Sequence, residues 1–580
     1  MLPIGRRRFL ASGACAAATA ACSTARGNRR PADLVVLNGK VLTVDPRFSV
    51  AEAAAVRDGL FCFVGSTGDA KALVGPSTRV IDAGGMSVVP GIIESHLHAA
   101  DLVVPQEARD PFRTLGTIAE IQAWIRDKAA ATPEGTWILT LRGYPTRLKE
   151  RRFPTRAELD AAAPRHPVVF DGVYAHVLNT AALRSAGIAR DTADPPGGQI
   201  VKGPDGEPTG LLRNARGLVD RFLPPRPVAE EELLRGLEAV HRRYLACGIT
   251  SLVEGAANPE GYRLYGKLRA AGRLALRAAV TVLLSRDQVA GGAEQAIRDL
   301  PVRPGEGDDW LRVGPLKLWV DGGILIGTAY LREPYGPGAA RLYDIQDPAY
   351  RGTLTLTPEQ VREGVRAGHR LGWPMCTHVT GDAGADLVLD AVEAADAERP
   401  IRDRRFTLIH AYFTHADTVR RAAALGVCLS TQPAWYYKDA DAIAAALGEE
   451  RMRPFVGLAG WVRGGVRVAI NSDHMFGLDS ETALNPYNPF LTMGTAVTRK
   501  TEGGRVIGPE QRVSREDALR MMTTNAAALT FEEDRKGSIE VGKLGDLAVL
   551  DGDFMACPED RIRDLRAVAT VVGGTIVHGG

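Results

Sequence analysis

What the sequence is short of narrows the choice of protein class. Only seven of its 580 residues are cysteine (Cys15, Cys22, Cys62, Cys247, Cys376, Cys428 and Cys557). None forms a CxxC pair, so a disulfide-stapled scaffold and thiol redox chemistry are excluded, and buried free thiols account for most of them. Charge of one sign is also lacking: 71 Lys and Arg against 69 Asp and Glu leave a formal net charge of +2, with both signs mixed along the chain. No basic stripe is present to neutralise a phosphate backbone, and nucleic acid is not an expected partner. No internal repeat or low-complexity tract is present beyond an Ala-rich stretch near the N-terminus. What remains is ordinary for a soluble enzyme, with 45% apolar and 24% charged residues. The length suits one large domain with satellites.

The N-terminus differs in kind. Arg6-Arg7-Arg8-Phe9-Leu10 is followed by an Ala-rich apolar run to Ala21, the charged region and short apolar core of an export signal. That run is too short to span a bilayer. The arginines with Phe9 and Leu10 resemble a twin-arginine signal, with Gly5 and Ala11 in place of the usual Ser and Lys. Thr19-Ala20-Ala21-Cys22 resembles a lipoprotein cleavage box in which Thr19 replaces Leu. Residues 1–30 are thus expected to direct export, to the periplasm or to a membrane-anchored lipoprotein, with peptidase cleavage nearby or a plain N-terminal extension as alternatives.

Short alternating runs, Asp33 to Val44 and Ala53 to Val64, follow and are separated by Asp45-Pro46 and Asp58-Gly59 turns. A second strand-rich region, Gly537 to His578, closes the chain. Residues 33–85 and 536–580 are therefore expected to build one small β-sandwich from both termini. Between them, from 86 to 535, apolar runs alternate with helical patterns, the rhythm of βαβ units around a parallel sheet. Eight runs are candidate strands: Met86 to Ile93, Pro167 to Phe170, Ile249 to Val253, Val313 to Val320, Pro374 to Thr377, Thr407 to Ile409, Val427 to Ser430 and Val466 to Ile470. Ala229 to Ala246, Pro358 to Leu371 and Ala383 to Ala397 carry apolar residues at helical spacing. The pattern favours an α/β fold, a (β/α)8 barrel, over an open doubly wound sheet. Residues 101–223 exceed one βα unit and read as an insertion that walls the site, with loops over Asp194 to Gly210.

The chemistry sits at strand ends. Val88-Val89-Pro90-Gly91-Ile92-Ile93-Glu94-Ser95-His96-Leu97-His98 ends a strand with two histidines two residues apart, which point the same way and can converge on one ion. Barrel enzymes place their sites at that end. His378 follows Pro374-Met375-Cys376-Thr377, and His410 follows Phe406-Thr407-Leu408-Ile409. Asp473 follows Val466-Arg467-Val468-Ala469-Ile470-Asn471-Ser472, where a carboxylate can bind a metal and accept a proton from water. His474 beside it is expected to be a supporting residue. Lys317 lies inside the apolar run Leu316-Lys317-Leu318-Trp319-Val320, where an ammonium is costly to bury. Pairing with Asp321 is one solution; carbamylation by carbon dioxide, which makes the amine an anionic oxygen ligand, is another. His176 in the insertion, and Trp435 and Tyr437 after the seventh strand candidate, are candidate substrate contacts, with core packing as the alternative for each.

With His96, His98, Lys317, His378, His410 and Asp473 in this order, the chain resembles the amidohydrolase superfamily, and more narrowly the amidohydrolase family 3 branch that includes N-substituted formamide deformylases. Gly206-Glu207-Pro208-Thr209-Gly210-Leu211-Leu212, His378-Val379-Thr380-Gly381-Asp382 and Gly537-Ser538-Ile539-Glu540-Val541-Gly542-Lys543 extend the resemblance from about Asp33 to the C-terminus. It implies two divalent ions, zinc by preference. His96 and His98 would bind the first, a carbamylated Lys317 would bridge, and His378 and His410 would bind the second. Asp473 would complete the first site and act as proton acceptor while a hydroxide between the ions attacks an amide-type carbon–nitrogen bond of a small molecule. Asn471 departs from the branch, which usually has Gly there; it is expected to alter packing rather than ligation. Deaminase relatives carry Glu three residues after the fifth-strand His, where this chain has Gly381. The competing readings are a single-metal deacylase or deaminase, a dipeptidase-like hydrolase, and an exported binding protein without catalysis. Substrate and oligomeric state are not legible.

Overall fold

The computed structural model describes residues 30–102, 115–223, 228–257 and 259–579. The export-type segment and Cys22 lie outside the described residues. No helix among the described residues is long and apolar enough to cross a membrane.

Eight parallel strands form the central sheet in sequential order: β1 (Ile92–Leu97), β2 (Ile249–Ala257), β3 (Arg277–Leu283), β4 (Leu311–Trp319), β5 (Met375–Val379), β6 (Thr407–His410), β7 (Cys428–Thr431) and β8 (Val468–Ile470). The ends of β8 and β1 meet through two backbone hydrogen bonds, His98 N to His474 O at 2.8 Å and Asp473 N to His96 O at 3.2 Å. The fold is a TIM-like (β/α)8 barrel with extra structure, and the two segments that close it carry the candidate histidine pair and the candidate aspartate. Helices Glu230–Ala246, Pro358–Arg370 and Asp382–Glu398 fall where apolar spacing predicts them. Thr357 caps the second, its hydroxyl accepting from Gln360 N, with Pro358 at the first helical position.

Two strand expectations need correction. Pro167 to Phe170 is not a barrel strand: Val168–Asp171 lies in a separate five-stranded sheet within the insertion, antiparallel to Ala175–Leu178. Its four residues are all buried, so it has the apolar signature of a barrel strand. The overlooked strand is β3, whose β-branched run Val280-Thr281-Val282 is hidden by the helix-favouring stretch Leu274-Ala275-Leu276-Arg277-Ala278-Ala279 that follows the helix Pro259–Ala270. The stretch Asp194 to Gly210 is also less loop-like than expected, because Gln199–Lys202 and Pro208–Arg213 pair as an antiparallel hairpin.

Met86 to Ile93, read as one strand, serves two sheets. Ser87–Pro90 pairs with Leu547–Leu550 in a six-stranded sheet that also takes Lys40–Leu42, Val50–Ala51, Ala567–Val572 and Thr575–Gly579. A four-stranded sheet of N-terminal strands (34–37, 53–57, 60–65 and 79–82) shares a buried apolar cluster with it. The N-terminal contribution to these sheets therefore runs to Pro90 rather than stopping at residue 85. At Gly91 the chain crosses into the barrel; a Cβ there would lie 2.1 Å from Thr250 Oγ1, so the crossing requires glycine.

Candidate active site

Alternation along β1 puts Glu94, His96 and His98 on one face, with 0%, 1% and 6% exposure. His96 Nε2 and His98 Nε2 approach Asp473 Oδ1 at 3.6 and 3.4 Å, and donor atoms of all three residues lie within 4.8 Å of one another. Lys317, fully buried on β4, sets its Nζ 3.3 Å from His96 Nε2. Its alternative partner Asp321 is engaged by the backbone N–H groups of Thr380, Gly381 and Tyr330, at 2.8, 2.8 and 3.0 Å. His378 and His410 end adjacent strands, and their rings lie 4.5 Å apart. The His410 ring is 5.7 Å from that of His96, so the tertiary structure gathers six residues from five strand ends. His410 and Asp473 both have left-handed backbone, φ +79° and +50°. Such strained positions in non-glycine residues concentrate at sites that need a fixed geometry.

Charge and proton placement favour cation binding. Burial, followed by the neighbouring Lys317, holds His96 well below the usual histidine range; burial and then His410 do the same to His378. Burial takes His410 down to about 4. These rings are neutral at ordinary pH and offer lone pairs. Their tautomers follow from their partners. His378 Nε2 lies 3.1 Å from the carbonyl oxygen of Gly322 and must donate to it, so its lone pair is on Nδ1. Asp473 N–H donates to Asn471 Oδ1 at 3.1 Å, which makes that oxygen the acceptor for Gln432 Nε2 at 3.0 Å. Gln432 Oε1 therefore faces His410 Nδ1, at 2.8 Å, and receives its proton. The lone pair of His410 is then on Nε2, 2.9 Å from His378 Nδ1. Two lone pairs face each other at hydrogen-bond distance, an arrangement that a cation relieves. Backbone or amide acceptors on the far nitrogens are also what metal-binding histidines use to fix their orientation. In addition, Asp473 Oδ1 is buried without a hydrogen-bond partner among the described residues. The donor set thus fits metal ions.

A pocket opens over His378, His410 and Asp473. Its walls include Ile324, Leu325 and Ile326, and Trp435, whose ring is 5.8 Å from that of Tyr144. Tyr144 and Tyr174 come from the insertion, which does wall the site. Tyr174 sits in the turn Gly172 to Ala175, where Val173 has φ +73°, with its ring 5.6 Å from that of His378. Trp319 stacks on His378 at 4.2 Å and lies 5.5 Å from Tyr174, so the three rings form one cluster.

Two candidate substrate contacts are not brought to the cavity. His176 is fully buried opposite Asp171 in the hairpin register, its Nε2 3.3 Å from Asp171 Oδ1, and so supports the turn that presents Tyr174. Tyr437 lies two residues beyond Trp435 on the helix Pro433–Leu447, which turns it to a different face. Its hydroxyl accepts from Arg563 Nη1 at 2.9 Å beside a separate surface groove. His474 lies behind the site, its Nδ1 2.8 Å from the Tyr244 hydroxyl and its Nε2 2.7 Å from Gly477 O. Sequence reasoning missed Gln432, Tyr174 and Glu94. Of these, Glu94 was within reach, since it shares the alternation of His96 and His98. Its Oε2 accepts from Ser472 N and Oγ, both at 2.9 Å, and burial pushes its carboxyl up to about 8.

A parallel barrel with a buried cluster of histidines, lysine and aspartate at its C-terminal mouth defines a class, the metal-dependent barrel hydrolases. Comparison with known proteins narrows it. The amidohydrolase family model (Amidohydro_3) matches residues 79–578. The N-substituted formamide deformylase of Arthrobacter pascens is 29% identical over 556 residues, covering 94% of this chain and 98% of its own length. The putative amidohydrolase YtcJ of Bacillus subtilis is 27% identical over 544 residues, covering 91% and 96%. Among solved structures, an uncharacterized metal-dependent hydrolase from Pyrococcus horikoshii superposes with a TM-score of 0.65 at 22% identity, over 91% of this chain and 99% of that one, a likeness of fold. The chain belongs to the amidohydrolase family, in its family 3 branch: it is a metal-dependent hydrolase of carbon–nitrogen bonds that uses a divalent metal and acts on a small molecule.

Proposed function

We propose that the enzyme cleaves the carbon–nitrogen bond of a small amide, formamide or cyclic amide with two divalent ions, zinc by preference. The confronted lone pairs of His378 Nδ1 and His410 Nε2, 2.9 Å apart, carry the reading, because they call for a cation at a second position beside the His96, His98 and Asp473 group. His96, His98 and Asp473 would hold the first ion, and His378 and His410 the second. Lys317 would bridge them as a carbamate, its Nζ bonding to carbon dioxide with loss of one proton. That adds an anion to a cluster in which Asp473 is the carboxylate among four histidines. When bound, the ions supply Lewis acidity, which lowers the pKa of water toward neutrality and polarises the scissile carbonyl.

The chain's own groups do the rest. Asp473 Oδ1, without a hydrogen-bond donor of its own, takes the proton of the attacking water and returns it to the leaving nitrogen. The Tyr144 and Tyr174 walls shield the centre from bulk water and present a largely apolar surface, which suits an uncharged substituent on the amide. Deamination is disfavoured by Gly381: a Cβ there would lie 1.9 Å from Tyr330 O, so the glutamate that deaminase relatives carry at this place is not accommodated. The neighbouring Asp382 is turned to His415 and the Arg332 backbone, at 2.8 and 2.7 Å.

The test is a hydrolysis screen of purified, zinc-loaded protein against N-formyl, N-acyl and lactam compounds, with metal analysis and intact mass. Hydrolysis with two ions per chain and 44 Da of added carbon dioxide, about the mass of the carbamate's CO2, is the expected result. One ion per chain with an unmodified lysine would replace the reading by a single-metal one.

A further inference from the structure

Asn471, which sequence reasoning assigns to packing, does more than fill space in the structure. Its Oδ1 accepts from Gln432 Nε2 at 3.0 Å and from Asp473 N at 3.1 Å, while its Nδ2 donates to Ser430 Oγ at 2.9 Å. Gln432 in turn presents Oε1 to His410 Nδ1 at 2.8 Å, and Tyr412 donates to the same oxygen at 2.9 Å. Asn471 and Gln432 are both 0% exposed, so neither amide exchanges these partners for bulk water. A continuous chain of hydrogen bonds therefore runs from the backbone of Asp473, at the end of β8, through Asn471 and Gln432 to the ring of His410, at the end of β6.

We infer that Gln432 and Asn471 are positioning residues that couple the two halves of the metal centre. The inference rests on the two-ion reading proposed above. An amide can be turned either way, and a turned Gln432 would offer N–H to His410 Nδ1 and stabilise the wrong tautomer, with the proton on the nitrogen that faces His378. Asn471 blocks this: its Nδ2 faces the Thr431 carbonyl at 3.4 Å and its Oδ1 shares the Asp473 backbone N–H with His96 O, so Oδ1 is the acceptor and selects the N–H face of Gln432. The lone pair of His410 is thereby held on Nε2, next to His378 Nδ1. The same bond restrains the backbone of Asp473, which has left-handed φ +50° and gains from an external anchor. A residue ignored by ligand counting thus sets the proton arrangement at one ion and the backbone carrying the carboxylate at the other.

Zinc is the probe. Equilibrium dialysis of the full-length chain against buffered zinc, with ions per chain read by mass spectrometry, is compared for wild type, Gln432→Met, Gln432→Glu and Asn471→Gly. In Gln432→Met the second ion should bind about 10–100-fold more weakly, the usual effect of removing a histidine's outer partner, with the first ion little changed. Gln432→Glu restores an acceptor for His410 Nδ1 and should recover part of that affinity, since its second oxygen replaces the N–H that faces Asn471 Oδ1. Asn471→Gly removes both the selector of Gln432 and the anchor of Asp473, so it should weaken both ions, the second by a smaller factor than Gln432→Met does. In Gln432→Met a purely structural role would lower the melting temperature of the metal-free chain, weaken both ions alike and show no rescue by glutamate; that pattern overturns the inference. So does wild-type affinity for both ions in Gln432→Met. A wild-type chain that binds one ion overturns the two-ion reading and this inference with it. Amide hydrolysis measured in parallel separates the cases: two ions without hydrolysis overturns the proposed activity and leaves the coupling standing on the binding data.

Discussion

The terminal sheets are fastened to the barrel by a buried ion pair whose removal should be felt across the molecule. Arg277 begins β3, and Asp546 precedes the terminal strand Leu547–Leu550. Arg277 Nε and Nη2 meet the two carboxylate oxygens of Asp546 at 2.6 and 2.8 Å, with 3% and 5% side-chain exposure. Arg277 Nη1 donates to Asp309 O at 2.9 Å, and Asp546 Oδ1 also accepts from Gly573 N at 2.8 Å. In Arg277→Leu the carboxylate keeps its backbone donor but loses its counter-charge in a dry place, which should cost about 3–5 kcal/mol. Asp546→Leu should cost a similar amount. The double variant removes both charges; only the Asp309 carbonyl and the Gly573 amide lose partners, at about 1–3 kcal/mol each. It should therefore be more stable than the sum of the single losses predicts, with a coupling of about 4 kcal/mol by these figures. The assay is urea unfolding of the four proteins of the cycle, followed by fluorescence of Trp310, whose ring lies 4.8 Å from the Arg277 guanidinium. Single losses under about 1 kcal/mol, or strict additivity, would refute the account of this pair as a desolvated clamp.

Other outcomes can be checked separately. Asp473→Asn should keep the fold and lower kcat about 10²–10⁴-fold, the usual contribution of a positioned proton acceptor; substantial turnover in that variant would remove the assigned role. His241 is 1% exposed, neither ring nitrogen has a hydrogen-bond partner among the described residues, and burial lowers it to about 3 from 6.5. Its folded pKa lies below its unfolded one, so its contribution is complete above about pH 6.5 and is lost as pH falls toward 3, reaching about 2 kcal/mol at pH 5. His241→Phe should flatten the fall in stability between pH 7 and 5 by that amount, and an equal fall in both proteins would contradict it. Gly381→Ala places a methyl group 1.9 Å from Tyr330 O, and the backbone shift this forces should cost about 2–3 kcal/mol, visible as a lower melting temperature. An unchanged melting temperature would show that this segment yields freely.

The candidate site was legible where a local rule carries the information. His96 and His98 are marked by period-two alternation at the end of an apolar strand, and His378, His410 and Asp473 by the same change from apolar to polar at strand ends. Helices were legible where apolar spacing and a cap agree, as at Thr357. Strand membership was less so: Val168–Asp171 and β3 are both apolar and buried, and only their partners distinguish an insertion strand from a barrel strand. Trp435 and Tyr437, adjacent in sequence to the same strand end, were separated by a helix that begins at Pro433.

By itself, then, the sequence determined which residues can do chemistry and that they stand at strand ends, because backbone alternation and the cost of burying polar groups act within a few residues. Tertiary structure alone decided that β8 closes on β1 and brings Asp473 to His96 and His98. It also decided that Tyr174, rather than His176, reaches the cavity. The tautomers of His378 and His410 were likewise set by Gly322, Gln432 and Asn471. Distances between atoms far apart in the chain are products of closure and packing, and a hydrogen-bond acceptor has no identity until a particular donor is placed against it.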